Sequence, residues 1–174
     1  PSVFPVGGGE LGGLIRAFDW SKTSLGPIES WPHSLKTATD IVLQSPIPLV
    51  MLWGPDGVMI YNDGYAVVAG SRHPQILGAK VLEAWPEVAA FNGHVMKECL
   101  AGRTLAYRDQ VMTLNRDGVA ERVWLNLDYS PVLDEAALSR LERLELVARG
   151  SGAWGEALTL TPRGRLLGDG VTAE

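Results

Sequence analysis

The sequence has little of what the commonest protein chemistries need. It holds one cysteine, Cys99, in 174 residues, which excludes an internal disulfide framework and any cysteine-rich metal site. No apolar run approaches the ~18 residues of a membrane-spanning helix. The longest, Ile47 to Trp53, is strand-sized and interrupted by Pro48. Basic residues number 15 against 20 acidic ones, for a formal net charge of −5. With no basic block above that background, no nucleic-acid footprint is expected. His33, His73 and His94 share no i, i+3 or i+4 spacing, and Asp56, Asp63 and Asp117 are isolated turn acids, so no metal-ligand set is visible. Acids in turns usually bond to nearby backbone. GGGELGG at 7–13 lacks the preceding strand that a phosphate-cradling loop requires. No Ser, His and Asp grouping carries a nucleophile signature. Catalysis is therefore not expected of this chain, and no motif names a cofactor. The opening PSVFPVGGGE shows no initiator Met and no basic-then-apolar signal, so a piece of a cytoplasmic protein is the expectation.

What is present reads as alternating short elements. Residues 1–10 form a flexible lead-in, because three consecutive glycines are costly to order. Leu11, Leu14, Ile15 and Phe18 then follow the spacing of an amphipathic helix. A second helix, capped by Ser34, runs to about Gln44 with Leu35, Ala38, Ile41 and Val42 on one face. Together, residues 11–45 make an N-terminal helical cap. PLVMLWGPDGVMIYN is a hairpin turning at Gly54-Pro55-Asp56-Gly57. Short helical pieces fill Gly64 to Glu87, and a longer helix spans Phe91 to Ala101, with Phe91, Val95, Cys99 and Leu100 buried. Strands Tyr107 to Leu114 and Arg122 to Tyr129 are joined by NRDG. No internal repeat is visible. The order predicts an α+β domain with an antiparallel sheet covered on one face.

The run MIYNDGYAVVAGSRHPQILGAKVLEAWPE resembles the first half of a PAS domain. Asn62, Tyr65, Gly70, Gly78 and Trp85-Pro86 stand where that family carries an Asn, an aromatic, two glycines and a Trp-Pro turn. LNRDGVAERVWLNLDYSPVLDE resembles its later hairpin and closing Ser-Pro-hydrophobic-x-Asp, and IRAFDWSKTSLGPIESWPHSLKTATDIVLQSP is similar to the leader before PAS domains in bacterial sensor histidine kinases. The resemblance covers about residues 10–135 and places a PAS core at 46–135. It implies a PAS-like five-stranded antiparallel sheet with short helices over one face, enclosing a small cavity, and signal input rather than chemistry. A covalent flavin site is excluded, since Val81 in GAKV stands where the reactive thiol belongs. For haem, the candidate ligand is His94, whereas the family's ligand position falls near Leu105, where no histidine stands. Its neighbours Lys97 and Glu98 suggest a solvated face.

The departure comes after Glu135. There AALSRLERLELVARG shows heptad-like Ala137, Leu141, Leu144 and Ala148, which predicts a helix where the family's central fifth strand is due. A sheet lacking that strand exposes two unpaired ladders. The candidates to fill it are Leu144 to Arg149, Ala157 to Thr161, a partner chain or a non-native tail, so 136–174 is read as a C-terminal helix and tail. Pocket candidates are Trp53, Tyr61, Asn62, Tyr65, Trp85, Val95, Cys99, Tyr107 and Leu125. Strand alternation sets Val123, Leu125 and Leu127 inward and Trp124 and Asn126 outward; the same aromatics equally fill an ordinary core. The expected function is a sensory PAS module of a bacterial two-component protein whose parent is a histidine kinase, detecting a small ligand or partner. The sequence itself holds no phospho-accepting His region or nucleotide glycine box. The amphipathic stretches Leu11 to Phe18 and Ala136 to Arg149 predict a homodimer. A ligand-free dimerisation module and a haem-binding gas or redox sensor are the alternatives.

Overall fold

The computed structural model describes residues 4–133, 147–152 and 155–160. The chain groups into two compact units, Pro1–Lys97 with Ala106–Asp128 and Glu98–Leu105 with Tyr129–Glu174.

The first unit opens on α1 (Gly9–Ala17), which buries Leu11 and Ile15, one turn apart. Within the lead-in, Phe4 and Pro5 pack against the domain while Val6 is exposed. Pro5 is fully buried, Phe4 meets Trp31 edge-on at 6.2 Å, and the Arg16 guanidinium donates to the Pro5 carbonyl at 2.6 Å. The three glycines were read as an entropic cost, yet Gly7, Gly8 and Gly9 all take positive φ, a conformation that L side chains resist. At the far end, the Trp20 indole donates to the Ile15 carbonyl at 2.8 Å and so satisfies an end-of-helix acceptor. Helix α2 (His33–Gln44) starts behind Pro32 with no side-chain cap, so Ser34 is not the cap that was expected. It buries Leu35, Ala38, Thr39, Val42 and Leu43, while Ile41 stays exposed.

Strands β1 (Val50–Trp53) and β2 (Val58–Tyr61) pair antiparallel, Val50 opposite Tyr61 and Trp53 opposite Val58. The outer edge of β2 is covered as well. Met59 N–H donates to Ala79 O and Gly78 N–H to Met59 O, both at 2.9 Å. With neighbours on both edges, all four residues of β2 are buried. Gly78 has φ 74°, and a Cβ there would run into the Phe18 ring, so only glycine fits this crossing. Helices α3 (Asp63–Ala69) and α4 (Val81–Ala84) and single turns at Gly70–Arg72 and Pro86–Val88 follow. Helix α5 (Ala89–Leu100) packs Met96 against Gly57 of the β1–β2 turn. It ends before Gly102, whose φ of 86° closes the helix. Val95 and Met96 are its buried residues, whereas Leu100, expected to be buried, is exposed.

Strands β3 (Leu105–Asn115) and β4 (Ala120–Tyr129) pair with each other, and the short link between them permits only antiparallel pairing. Asp109 takes φ 51° and its N–H donates to Asn126 Oδ1 at 2.9 Å. The inward set shifts from Tyr107 to Gln110 there, as at a bulge.

In the second unit β5 (Val147–Gly152) pairs antiparallel with β6 (Gly155–Leu160). The helix expected through Arg149 is therefore corrected at 147–149, where β-branched Val147 and the glycines at 150 and 152 favour strand over helix. The rest of that expected helix lies outside the described residues. Both segments offered as a fifth strand contribute to this hairpin and pair with one another. Among the described residues the architecture is mixed helix and strand in three two-stranded sheets, not one five-stranded sheet.

Candidate functional site

A dense polar construction is built on YND, Tyr61 to Asp63. Asn62 ends β2 and is 2% exposed, so each of its polar atoms needs a partner. Its Oδ1 accepts from Leu49 N–H at 3.0 Å and from Tyr65 N–H at 2.9 Å, the second being the cap of α3. Its Nδ2 donates to the carbonyls of Val42, Ser45 and Ile47 at 3.1, 3.2 and 2.8 Å. One side chain thereby ties the end of α2, the approach to β1 and the start of α3. Asparagine alone carries both donor and acceptor at this length.

Asp63 serves a third helix. Its Oδ1 accepts from Leu11 N–H at 2.8 Å and its Oδ2 from Glu10 N–H at 3.1 Å. A carboxylate in the first turn of α1 meets unpaired N–H groups and the positive end of the helix dipole. A side chain at Gly9 would collide with that carboxylate.

Tyr61, fully buried, places its hydroxyl 3.0 Å from His73 Nδ1. Burial, with the nearby Glu10 charge, pushes the phenol up to about 12. The Tyr61 hydroxyl therefore keeps its proton at all ordinary pH, and it meets Nδ1 as donor or acceptor according to the His73 tautomer. Nε2 is buried without a hydrogen-bond partner, and Glu10 Oε1 lies 3.5 Å away. In the sequence His73 is one of three histidines without ligand spacing, and this contact is invisible there.

A second cluster joins the turn after α3 to the β3–β4 loop. Ser71 N–H donates to Asp117 Oδ1 at 3.0 Å and its hydroxyl to the Arg116 carbonyl. Arg72 donates to Asn115 O, Ala84 O and Glu87 Oε1 and lies 4.4 Å over the Trp85 ring. Burial works to raise the Glu87 carboxyl, but the Asn115 N–H, its own N–H and the Arg72 charge outweigh it and hold the group below its ordinary range. Beside this cluster a groove of about 500 Å³, lined by Ser71, Arg72, Gln75, Ile76 and Glu83, opens to solvent.

Five of the proposed pocket residues belong to one packed core, with Tyr61 and Trp85 buried in it and Trp53, Tyr65 and Leu125 against it. Tyr61 and Tyr65 stack at 5.4 Å, and Phe91 meets Tyr107 at 4.9 Å. Trp53 and Leu125 pack partly buried against the core, and Val95 is buried. Trp85 is buried under Arg72 with no hydrogen-bond partner for its indole N–H. Asn62 is consumed by the backbone around it. Cys99 is free and half-buried, its thiol pushed up by burial and by Glu98. His94 is exposed beside the buried Val95, a poor position for an axial ligand. Val123, Leu125 and Leu127 face the core and Trp124 is exposed, in the alternation of a half-buried strand. Asp63 and Asp117 do bond to backbone, but to backbone 52 and 46 residues away, a distance that no local pattern reveals.

Among the described residues no group of three His, Cys, Asp or Glu side chains is placed to hold a metal. No described helix is long and apolar enough to cross a membrane. No protein-family model matches the chain, and no curated protein matches it in sequence.

Proposed function

We propose that this chain is a sensory or regulatory module of the PAS type, a cytoplasmic part of a bacterial two-component protein whose effector is a histidine kinase. The observation that carries the reading is the Asn62 node. The residue stands at the end of the second strand, where the resemblance puts the family's Asn, and there it caps the next helix and fastens the preceding one. The segment between α3 and α4 then runs beside β2, held by the bonds of Gly78 and Ala79 to Met59 and of Val81 to Gly57. In this function a small ligand or partner favours one of two arrangements of these short helices, a population shift rather than a reaction. The fold by itself assigns no stimulus.

A second reading, a pairing module with a filled core, is favoured by the saturation of Asn62, whose amide is fully engaged by neighbouring backbone. The apolar stripe of α1 is not the pairing face, because Leu11 and Ile15 are spent inside their own unit. Exposed Ile41 and Val67 are the apolar side chains a second copy would cover. Native mass spectrometry of the purified chain separates the two. The sensory reading expects a small molecule that leaves on unfolding; a dimer of bare chains supports the pairing module, and steady turnover of a substrate contradicts both.

A further inference from the structure

We infer that α1 and α3 are mechanically coupled through Asp63, so that the N-terminal helix follows any displacement of α3. Three observations point the same way, two of them at the Asp63 carboxylate and one at His73. The Asp63 carboxylate belongs to the first turn of α3 yet accepts the Glu10 and Leu11 N–H groups that open α1. Gly9 is pressed so close to that carboxylate that no Cβ fits between them. Glu10 also reaches His73, just past the turn that follows α3, with 3.5 Å between Oε1 and Nε2.

Asn62, the preceding residue, holds α3 to the end of α2. Two adjacent side chains therefore fix the starts of α1 and α3 and the end of α2. A tilt of α3 must either carry the carboxylate and α1 with it or break two charge-assisted bonds, which are roughly twice as strong as neutral ones. The N-terminal helices thus form an arm reading the position of α3. Use of this joint for signalling rests on the sensory reading above, whereas the joint itself is tested without any ligand.

Coupling between two sites is reciprocal, and reciprocity supplies the test. Amide hydrogen exchange is followed at Gly12 and Ile15 in α1, at Ala66 in α3, and at Met59 in β2 as the control. Asp63→Ala removes the contact from the α3 side, and Gly9→Ala displaces the carboxylate from the α1 side. Each is expected to speed exchange in both helices by about fivefold to tenfold, the equivalent of a lost helix cap, with Met59 unchanged. Asp63→Asn, which keeps one acceptor and loses the charge, gives a smaller rise in both and serves if a harsher variant does not fold. Loosening confined to the helix that bears the substitution overturns the inference. So does an equal loosening of Met59, which would make α1 and α3 ordinary parts of one cooperative core.

Discussion

Strands β2 and β4 both carry apolar residues with a polar one at or just past the end, yet their surroundings oblige them to treat polarity in opposite ways. VMIY of β2 is buried throughout, flanked by β1 on one edge and by Gly78–Val81 on the other, with α2 packed on the hairpin. ERVWLNLD of β4 alternates between the core and solvent. Asn62 after β2 has to satisfy every polar atom internally, whereas Asp128 on β4 pairs with Arg108 at 2.8 Å in the open, both side chains more than half exposed. Buried polar groups left unpaired are costly, and exposed ion pairs contribute little. A polar side chain near β2 is thus an organiser of the fold, and one on the outer face of β4 is replaceable.

Substitutions along the two strands should separate widely. Ile60→Ala, which empties a site with 0% exposure, is expected to cost about 3–4 kcal/mol in urea denaturation. Tyr61→Phe keeps the ring but strands His73 Nδ1, and a loss of about 1.5 kcal/mol follows. NMR should then show a shifted His73 tautomer balance. Glu87→Gln weakens the tie from Arg72 to the β3–β4 loop by about 1 kcal/mol at neutral pH. It also has a pH signature. Because the folded chain binds the Glu87 proton less readily than the unfolded chain does, this contribution is full above the ordinary Glu range of about 4.3 and is lost as pH falls through the lowered folded value. The variant should therefore lose less stability than the parent over that acid interval. At the bottom of the scale, Trp124→Ser, on a ring 61% exposed with only Arg122 over it at 5.4 Å, should change stability by less than about 0.5 kcal/mol. If the β4 change proved as damaging as those in β2, the contrast between the strands would fail.

Periodicity and turn chemistry, which act over a few residues, made the local elements legible. The PDG turn and its two strands, the helix ending before Gly102, and the inward set Val123, Leu125 and Leu127 were all readable. Contacts between distant residues were not. Gly7–Gly9 looked expensive because their value lies in positive φ and, at Gly9, in room for an Asp63 that is 52 residues from Leu11. His73 looked idle because Tyr61 and Glu10 meet it only in three dimensions. The heptad-like pattern after Glu135 predicted helix through Arg149, where Val147 to Arg149 instead pair with Leu158 to Leu160. Cross-strand pairing outweighs a three-residue continuation of helical spacing. As for the pocket set, a list of aromatics cannot distinguish a lumen from a packed interior, since Tyr61, Trp85, Trp53, Tyr65 and Leu125 belong to one core either way.

The account turns on residue 62, where two hairpin strands and two helices are held by one amide. Urea denaturation of Asn62→Ala tests this directly. Removing the side chain leaves the Leu49 and Tyr65 N–H groups and three carbonyls without it, so a loss of about 3 kcal/mol with an unchanged denaturant slope is predicted. A variant as stable as Trp124→Ser would contradict the claim.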